Sequence, residues 1–197
     1  MDLGCGTGDL LRILSQKVGH DGLCIGIDLS PDMLKISKTK LLNYKNVELQ
    51  TGNVTKNLLF ESDYFDVVTA LNINQEIPLK LQKYMFKEAS RILKKDGVFI
   101  GYSACLSGTT EAEKCYSKIA KEYLWYFHPY REIEEVLREI FRNTVTAFKS
   151  NLKASTSESK GKIKFKSLIE IMIKVKEKGY NLEEVLQGVL LMKGISF

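Results

Sequence analysis

The sequence predicts an α/β protein with a doubly wound sheet of about seven strands, mostly parallel, with an antiparallel hairpin at one edge and a shortened first strand. Three observations support this fold. Short apolar runs alternate with helical patterns over residues 1–105, which is typical of a parallel sheet. A glycine-rich loop begins at Gly4, after only three residues. Closer to the C-terminus, apolar residues recur at every second position, as in a half-buried strand.

The elements of the first half follow from their apolar patterns and their end signals. After the short first strand, apolar runs predict strands at residues 23–28, 47–51, 65–71 and 98–104. Helical spacing of apolar residues predicts helices over 10–18 and 81–92. Ser30-Pro31 opens another predicted helix, in which serine is the N-cap and proline occupies the first turn.

The second half is predicted to cover the sheet and complete one edge. Helices are expected at about 110–124 and from 130 to 141, followed by a strand at 144–149. Residues 163–175 alternate between apolar and lysine-rich positions, which predicts a strand pairing antiparallel with 144–149. Asn181 with Glu184 forms a capping-box pattern and opens a predicted C-terminal helix. No linker or repeat interrupts the chain, so we expect one domain over 1–197.

Composition restricts the class of protein. Hydrophobic residues make up 44% and charged residues 27% of the chain, which is ordinary for a globular protein. The acidic, glycine-rich N-terminal residues lead us to expect no secretory signal, and no apolar run is long enough for a membrane span. The four cysteines lack disulfide-framework or metal-ligand spacing, which favours reduced thiols and a cytoplasmic location. No carboxylate set has metal-ligand spacing, so no metal site is predicted.

The net charge of +5 is concentrated at the C-terminal end. Residues 151–197 contain nine lysines and five glutamates, which leaves +1 for the rest of the chain. Such a region would suit an anionic partner such as RNA, although a solvated lysine-rich surface is the more common explanation of such a charge run.

The spacing of the first glycines restricts the ligand of their loop. Gly4, Gly6 and Gly8 give G-x-G-x-G, whereas the dinucleotide fingerprint needs a glycine where Asp9 stands. An aspartate at a helix N-terminus would repel a pyrophosphate. About 20 residues further on, Asp28 ends the second strand, where a carboxylate can accept hydrogen bonds from ribose hydroxyls. The pattern favours a nucleoside ligand without phosphates.

Five motifs together carry a resemblance to a known family: DLGCGTG, GIDLSPDML, TGNV, YFDVVTAL and RILKKDGVFI. In this order they resemble the class I S-adenosylmethionine-dependent methyltransferases, in particular the small-molecule branch that includes quinone-biosynthesis enzymes. The likeness covers residues 1–105. It implies a Rossmann-like fold, S-adenosylmethionine as cofactor, a cofactor-binding half at 1–105 and a substrate-side half at 106–197.

The resemblance also implies roles for individual residues. One group would face the methionine end of the cofactor: Asp2, Gly4, Cys5, Gly6 and Gly8. The others would contact the nucleoside or lie beneath the reacting group: Asp28 at the ribose, Leu29 and Met33 at the adenine, Asn53 at its amino group, Val54 at its ring nitrogen through the backbone N–H, and Leu71 under the methionine. The family usually has aspartate where Asn53 stands. We expect its amide oxygen to accept the same hydrogen bond without the charge.

Catalysis by this route needs no dedicated residue, because positioning two reactants removes much of the barrier to an in-line displacement. Two side chains are candidate bases. Glu76 lies in the loop after the fourth strand, where many relatives carry histidine, and could also hold a cationic substrate. His128 belongs to residues 123–130, of which six are aromatic when the histidine is counted. These rings either form a wall for a planar acceptor or simply pack a helix onto the sheet.

Three functions stay open at this point. The first is methyl transfer to a small molecule at oxygen, carbon or nitrogen. The second is an RNA methyltransferase that uses the lysine-rich region, and the third is a non-catalytic cofactor-binding subunit. Because only Met1, Asp2 and Leu3 supply the first strand, we expect an N-terminal truncation or a misplaced start, with an unusually open cofactor cleft.

Overall fold

A computed structural model describes residues 1–150, 173–175, 177–180 and 187–196. Within these ranges, seven strands form one sheet in the order β3-β2-β1-β4-β5-β7-β6. The elements in chain order are β1 (Asp2–Leu3), α1 (Asp9–Val18), β2 (Cys24–Asp28), α2 (Pro31–Lys40), β3 (Val47–Thr51), β4 (Phe65–Leu71), a 3₁₀ turn (Asn74–Glu76), α3 (Leu79–Ile92), β5 (Leu93–Leu106), α4 (Glu111–Glu122), α5 (Tyr130–Ile140), β6 (Arg142–Ser150) and β7 (Gln187–Ile195).

The predicted fold class is confirmed. Strands β1 to β5 pair in parallel, and β7 pairs antiparallel with both β5 and β6. The short β1 lies in the interior of the sheet, with Asp2 opposite Gly26 on one side and Thr69 on the other. The carboxyl ends of β1 to β4 therefore meet at one edge, and the loops that follow them lie close together.

Apolar clusters cover both faces of the sheet. In β2, Cys24 belongs to a cluster with Leu11 and Leu34 of α1 and α2. Ile25 belongs to a larger cluster that includes residues of α3 and α5. Because successive strand residues point to opposite faces, the two clusters lie on opposite sides of the sheet. This arrangement holds the strand ends rigidly between two layers of helices.

The C-terminal region differs from its prediction. The expected helix after Asn181 is wrong from residue 187 onward, because Gln187–Ile195 forms strand β7. Val189 and Leu190 fit a helical stripe, yet β5 offers them an open edge along which nine residue pairs form. Backbone hydrogen bonds with a long neighbouring strand outweigh a weak local preference.

The strand predicted over 163–175 lies mostly outside the described residues. Residues 173–175, at its end, have helical backbone instead. The strand predicted at 144–149 is confirmed as part of β6, but its described partner is β7. The sheet therefore has an antiparallel edge, as expected, and the described strand that pairs with β6 there is β7.

Candidate active site

An open cavity of about 660 Å³ lies at the carboxyl ends of β1 to β4. Ten residues named from the sequence line it: Gly4, Cys5, Gly6, Asp28, Leu29, Met33, Asn53, Val54, Leu71 and Glu76. Eight further lining residues were not predicted: Ser30, Gly52, Thr55, Asn72, Ile73, Ile77, Pro78 and Leu81. Five of the eight directly follow a strand end or a predicted residue, and that adjacency was the available signal; the exceptions are Ile73, Pro78 and Leu81.

The glycine loop is a tight turn whose middle approaches the cavity without a side chain. The N–H groups of Gly4 and Cys5 both donate to the Ile27 carbonyl, at 2.8 and 2.9 Å. Gly4 and Gly6 have φ values of +72° and +52°, which favour glycine. A Cβ at Gly4 would lie 2.3 Å from the Ile73 side chain, whereas one at Gly6 would meet nothing within 4 Å. Gly6 is therefore the point at which a ligand can reach the backbone.

Asp28 is fixed at the centre of the cavity by two backbone groups. Its Oδ2 accepts a hydrogen bond from the Gly6 N–H at 2.8 Å, and its Oδ1 accepts one from the Ser30 N–H at 2.9 Å. A carboxylate oxygen can accept more than one hydrogen bond, so both oxygens can still accept from a ligand. A vicinal diol offers two hydroxyl donors that match this carboxylate.

The residues that follow β3 line one end of the cavity with polar side chains and backbone groups. The Asn53 Oδ1 accepts hydrogen bonds from the Thr55 N–H at 2.9 Å and from the Thr55 hydroxyl at 2.7 Å. The expectation that this oxygen serves a ligand stays a prediction; in this structure both hydrogen bonds to it come from Thr55. Beside it, Leu29 and Met33 supply apolar surface, and Leu29 is 67% exposed.

The opposite end of the cavity, after β4, is mainly apolar. Leu71 ends β4, and the 3₁₀ turn Asn74–Glu76 follows within three residues. Glu76 is exposed and lines the cavity among apolar neighbours, namely Ile73, Ile77, Pro78 and Leu81. One carboxylate on an apolar wall suits a small acceptor that is itself largely apolar.

Two residues predicted to face the ligand do not line the cavity. Asp2 is 3% exposed, and its Oδ1 accepts a hydrogen bond from the Thr69 hydroxyl at 2.7 Å. Burial raises the pKa of the Asp2 carboxyl to about 6. Gly8 is the N-cap of α1 with φ +80°, and a Cβ there would lie 2.3 Å from the Ser37 hydroxyl oxygen. Both residues lie behind the loop, against Thr69 and Ser37 respectively, and their contact with a cofactor stays a prediction.

Burial strongly affects both the Cys5 thiol, which lines the cavity, and the candidate base His128. Burial raises the pKa of the Cys5 thiol to about 12, so the thiol stays protonated and is a poor nucleophile. His128 does not line the cavity; its carbonyl accepts a hydrogen bond from the Leu106 N–H at 2.9 Å. Burial lowers the pKa of His128 to about 4. Its Nδ1 lies 3.7 Å from a carboxylate oxygen of Glu132 in α5, and neither residue lines the cavity.

The aromatic segment around His128 forms its own cluster. Trp125 stacks on Phe127 with 5.6 Å between ring centroids, and Phe127 packs against Tyr116 of α4. The Tyr126 N–H donates to the Gln75 carbonyl at 2.7 Å, which ties this segment to the 3₁₀ turn beside the cavity. Among the described residues, the rings therefore pack α4 against the sheet, as the second of the two expectations stated.

Neither a metal cluster nor a membrane span is found in the described ranges. No group of three or more His, Cys, Asp or Glu residues there could hold a metal ion. No helix there is long and apolar enough to cross a membrane.

The fold and the cavity together define an α/β protein with an open cavity at the carboxyl ends of its parallel strands, where open α/β sheets bind their ligands. The chain belongs to the methyltransferase domain family, whose model matches residues 1–184. The family predicted from the motifs is thereby confirmed.

Curated relatives and a solved structure agree with this family. A demethylmenaquinone methyltransferase of Staphylococcus saprophyticus is 35% identical over 116 residues, which are 59% of this chain and 48% of that protein. One of Lysinibacillus sphaericus is 30% identical over 170 residues, which are 86% of this chain and 67% of that protein. The chain thus spans about half to two thirds of these relatives.

The structure of phosphoethanolamine N-methyltransferase 2 from Haemonchus contortus, in complex with phosphomonomethylethanolamine and S-adenosylhomocysteine, has the same fold. It matches with a TM-score of 0.74 at 15% identity, over 99% of this chain and 48% of that one. At this sequence identity the match supports a shared fold and nothing further.

Proposed function

We propose that the protein is an S-adenosylmethionine-dependent methyltransferase that acts on a small-molecule acceptor by direct in-line transfer. The observation that carries this proposal is the pairing of the open Gly6 backbone with the Asp28 carboxylate on one cavity. The family, the names of the curated relatives and the S-adenosylhomocysteine complex of the Haemonchus contortus enzyme support it.

The residues at the α1 N-terminus favour this cofactor over a dinucleotide. Asp9 stands in the first turn of α1 and pairs with Lys40 at 2.9 Å. This pairing lowers the pKa of Asp9, so its carboxylate stays charged where a pyrophosphate would need to sit. A nucleoside linked to an amino acid avoids this conflict.

Each part of the cavity has a role in this proposal. Asp28 holds the ribose hydroxyls, while Leu29 and Met33 pack on the base and the Val54 backbone N–H meets a ring nitrogen. The glycine loop leaves room for the methionine portion, with Leu71 beneath it. The bound cofactor supplies a methyl group already activated by a sulfonium, so the protein's own task is to align the acceptor with that methyl group and to exclude water.

The acceptor is proposed to enter beside the 3₁₀ turn. Its walls there are mostly apolar, with Asn72 and Glu76 as the polar residues, which fits an apolar or planar small molecule with one ionisable group. Glu76 would accept the proton that the acceptor loses as its bond to the methyl carbon forms. The curated relatives are named for a quinone-type acceptor, which belongs to this chemical class.

The other two functions have less support. The lysine-rich stretch behind the RNA alternative lies mostly outside the described residues. A non-catalytic subunit would need no acceptor pocket, yet the cavity extends past Leu71 to Leu81. The cytoplasmic location stays a prediction.

Calorimetry and a labelled-methyl assay test the proposal. The purified chain should bind S-adenosylhomocysteine but not NAD, and it should transfer labelled methyl from S-adenosylmethionine to a demethylated quinone or a related phenol. Methyl transfer to RNA alone would favour the second function. Cofactor binding with no transfer to any acceptor would favour the third, and absence of cofactor binding would overturn the proposal.

A further inference from the structure

The position of each loop along the sheet orders the parts of a nucleoside ligand in the cavity. The glycine loop follows β1, Asp28 ends β2, and Asn53 follows β3, which is the next strand outward. With the ribose at Asp28 and the amino-acid portion at the glycine loop, the base lies over residues 52–55. Four consecutive lining residues stand there: Gly52, Asn53, Val54 and Thr55.

The orientation of the Asn53 amide is fixed by Thr55. A backbone N–H can only donate, so the Asn53 atom 2.9 Å from the Thr55 nitrogen must be the oxygen, Oδ1. The Thr55 hydroxyl donates to the same oxygen at 2.7 Å. Flipping the amide would place an NH₂ group against the Thr55 N–H. The side-chain group that Asn53 can offer to a ligand is therefore Nδ2, which donates only.

Adenine carries a donor on the edge that would meet Asn53. Its 6-amino group needs an acceptor, and the Asn53 oxygen is already occupied. An aspartate in the same conformation would keep one oxygen for Thr55 and offer the second to the amino group. The asparagine changes this second atom from an acceptor to a donor.

We propose that Asn53 presents a donor to the cofactor's base, so that the 6-amino group of adenine contributes nothing to binding in this cavity. The inference rests on the proposed function, because it assumes a bound adenosyl cofactor. It predicts that the protein recognises the base through shape and the Val54 backbone, and tolerates cofactor analogues altered at position 6 of the purine.

Calorimetry with two ligands tests this inference. One is S-adenosylhomocysteine, and the other is its analogue in which hydrogen replaces the 6-amino group. The wild-type protein should bind the two within about threefold of each other. The Asn53→Asp variant should prefer S-adenosylhomocysteine by about tenfold or more, since a hydrogen bond to a charged group is then gained.

A matched control separates this effect from a general change in charge. Asn43 is exposed and does not line the cavity, so Asn43→Asp should behave like the wild type with both ligands. A wild-type loss of more than about threefold on removing the amino group would overturn the inference. It would equally be overturned if Asn53→Asp gained no preference, or if Asn43→Asp gained the same one. Failure of the wild type to bind S-adenosylhomocysteine at all would instead overturn the proposed function.

Discussion

The Gly6 N–H donates a hydrogen bond to the Asp28 carboxylate at 2.8 Å, across 22 residues of sequence. This bond joins the glycine loop after β1 to the end of β2, so the two parts of the candidate site hold each other in place. The loop conformation and the carboxylate position are therefore one structural unit, and a change in either should alter ligand binding.

Substitution of Asp28 by asparagine should weaken cofactor binding by about 1.5–3 kcal/mol. The amide keeps one oxygen, so the N–H of either Gly6 or Ser30 loses its acceptor, and a ribose hydroxyl loses a charged partner. Calorimetry with S-adenosylhomocysteine measures this. The control is Asp32→Asn, an exposed acidic residue in the first turn of α2. Equal weakening in both variants would contradict a specific role for Asp28.

Substitution of Glu76 by glutamine should lower kcat while the cofactor Kd changes little. Glu76 lines the acceptor end of the cavity, and glutamine keeps its size but cannot take a proton at neutral pH. Steady-state kinetics with the identified acceptor, together with calorimetry, measure the two quantities. Glu61→Gln, an exposed glutamate outside the cavity, is the control. Unchanged turnover would remove Glu76 from the reaction.

Substitution of Gly8 by alanine should destabilise the fold by about 2–4 kcal/mol. The added Cβ would have φ +80° and would lie 2.3 Å from the Ser37 oxygen and 2.8 Å from Leu41. Gly179→Ala is the control, because Gly179 has φ +82° but nothing within 4 Å, so it should lose only about 1–2 kcal/mol. Denaturant unfolding measures both. Equal losses would mean that packing against α2 is unimportant.

The Asp2 carboxyl should make stability fall as pH rises from about 4 to 6. Its pKa is raised from 3.8 to about 6 by burial, so the folded state holds a proton that the unfolded state releases. The contribution is largest below pH 4 and is lost above pH 6, with a span of up to about 3 kcal/mol. In Asp2→Asn, the free energy of unfolding relative to wild type should rise over this interval. A difference that is constant from pH 3 to 8 would contradict the burial effect.

The His128 imidazole should have the opposite effect on the pH dependence of stability, over nearly the same pH interval as Asp2. Burial lowers its pKa from 6.5 to about 4, so acidification protonates the unfolded state first and stability falls as pH drops from 6.5 to 4. The span is about 2 kcal/mol, because the side chain keeps some contact with solvent. The free energy of unfolding of His128→Gln should therefore rise relative to that of the wild type as pH falls, and denaturant unfolding measures it. If His128 instead serves catalysis, this variant would lose turnover at pH 7 without a change in stability.

The sequence by itself determined the parallel half of the sheet, the glycine loop, Asp28 and the family. These depend on local signals: apolar runs mark strands, and residues that follow parallel strands directly must lie at one edge of the sheet. Glu76 and Val54, which lie further along the loops after β4 and β3, were found through the family resemblance. The lining residues Ile73 and Thr55 were missed because their importance comes from neighbours that are distant along the chain or from a turn that spacing alone does not reveal.

Only the tertiary structure decided how the remaining residues are used. Residues 187–195 fit a helix by their spacing, but the open edge of β5 provides a long-range ladder of hydrogen bonds that makes them a strand. Asp2 and Gly8 belong to the loop motif but lie behind the loop. Asp2 accepts a hydrogen bond from Thr69, and Gly8 packs against Ser37. The Asn53 oxygen is taken by Thr55. In each case a hydrogen bond or a close packing contact decides how the residue is used, and such contacts depend on the three-dimensional course of the backbone, which the spacing of residue types does not reveal.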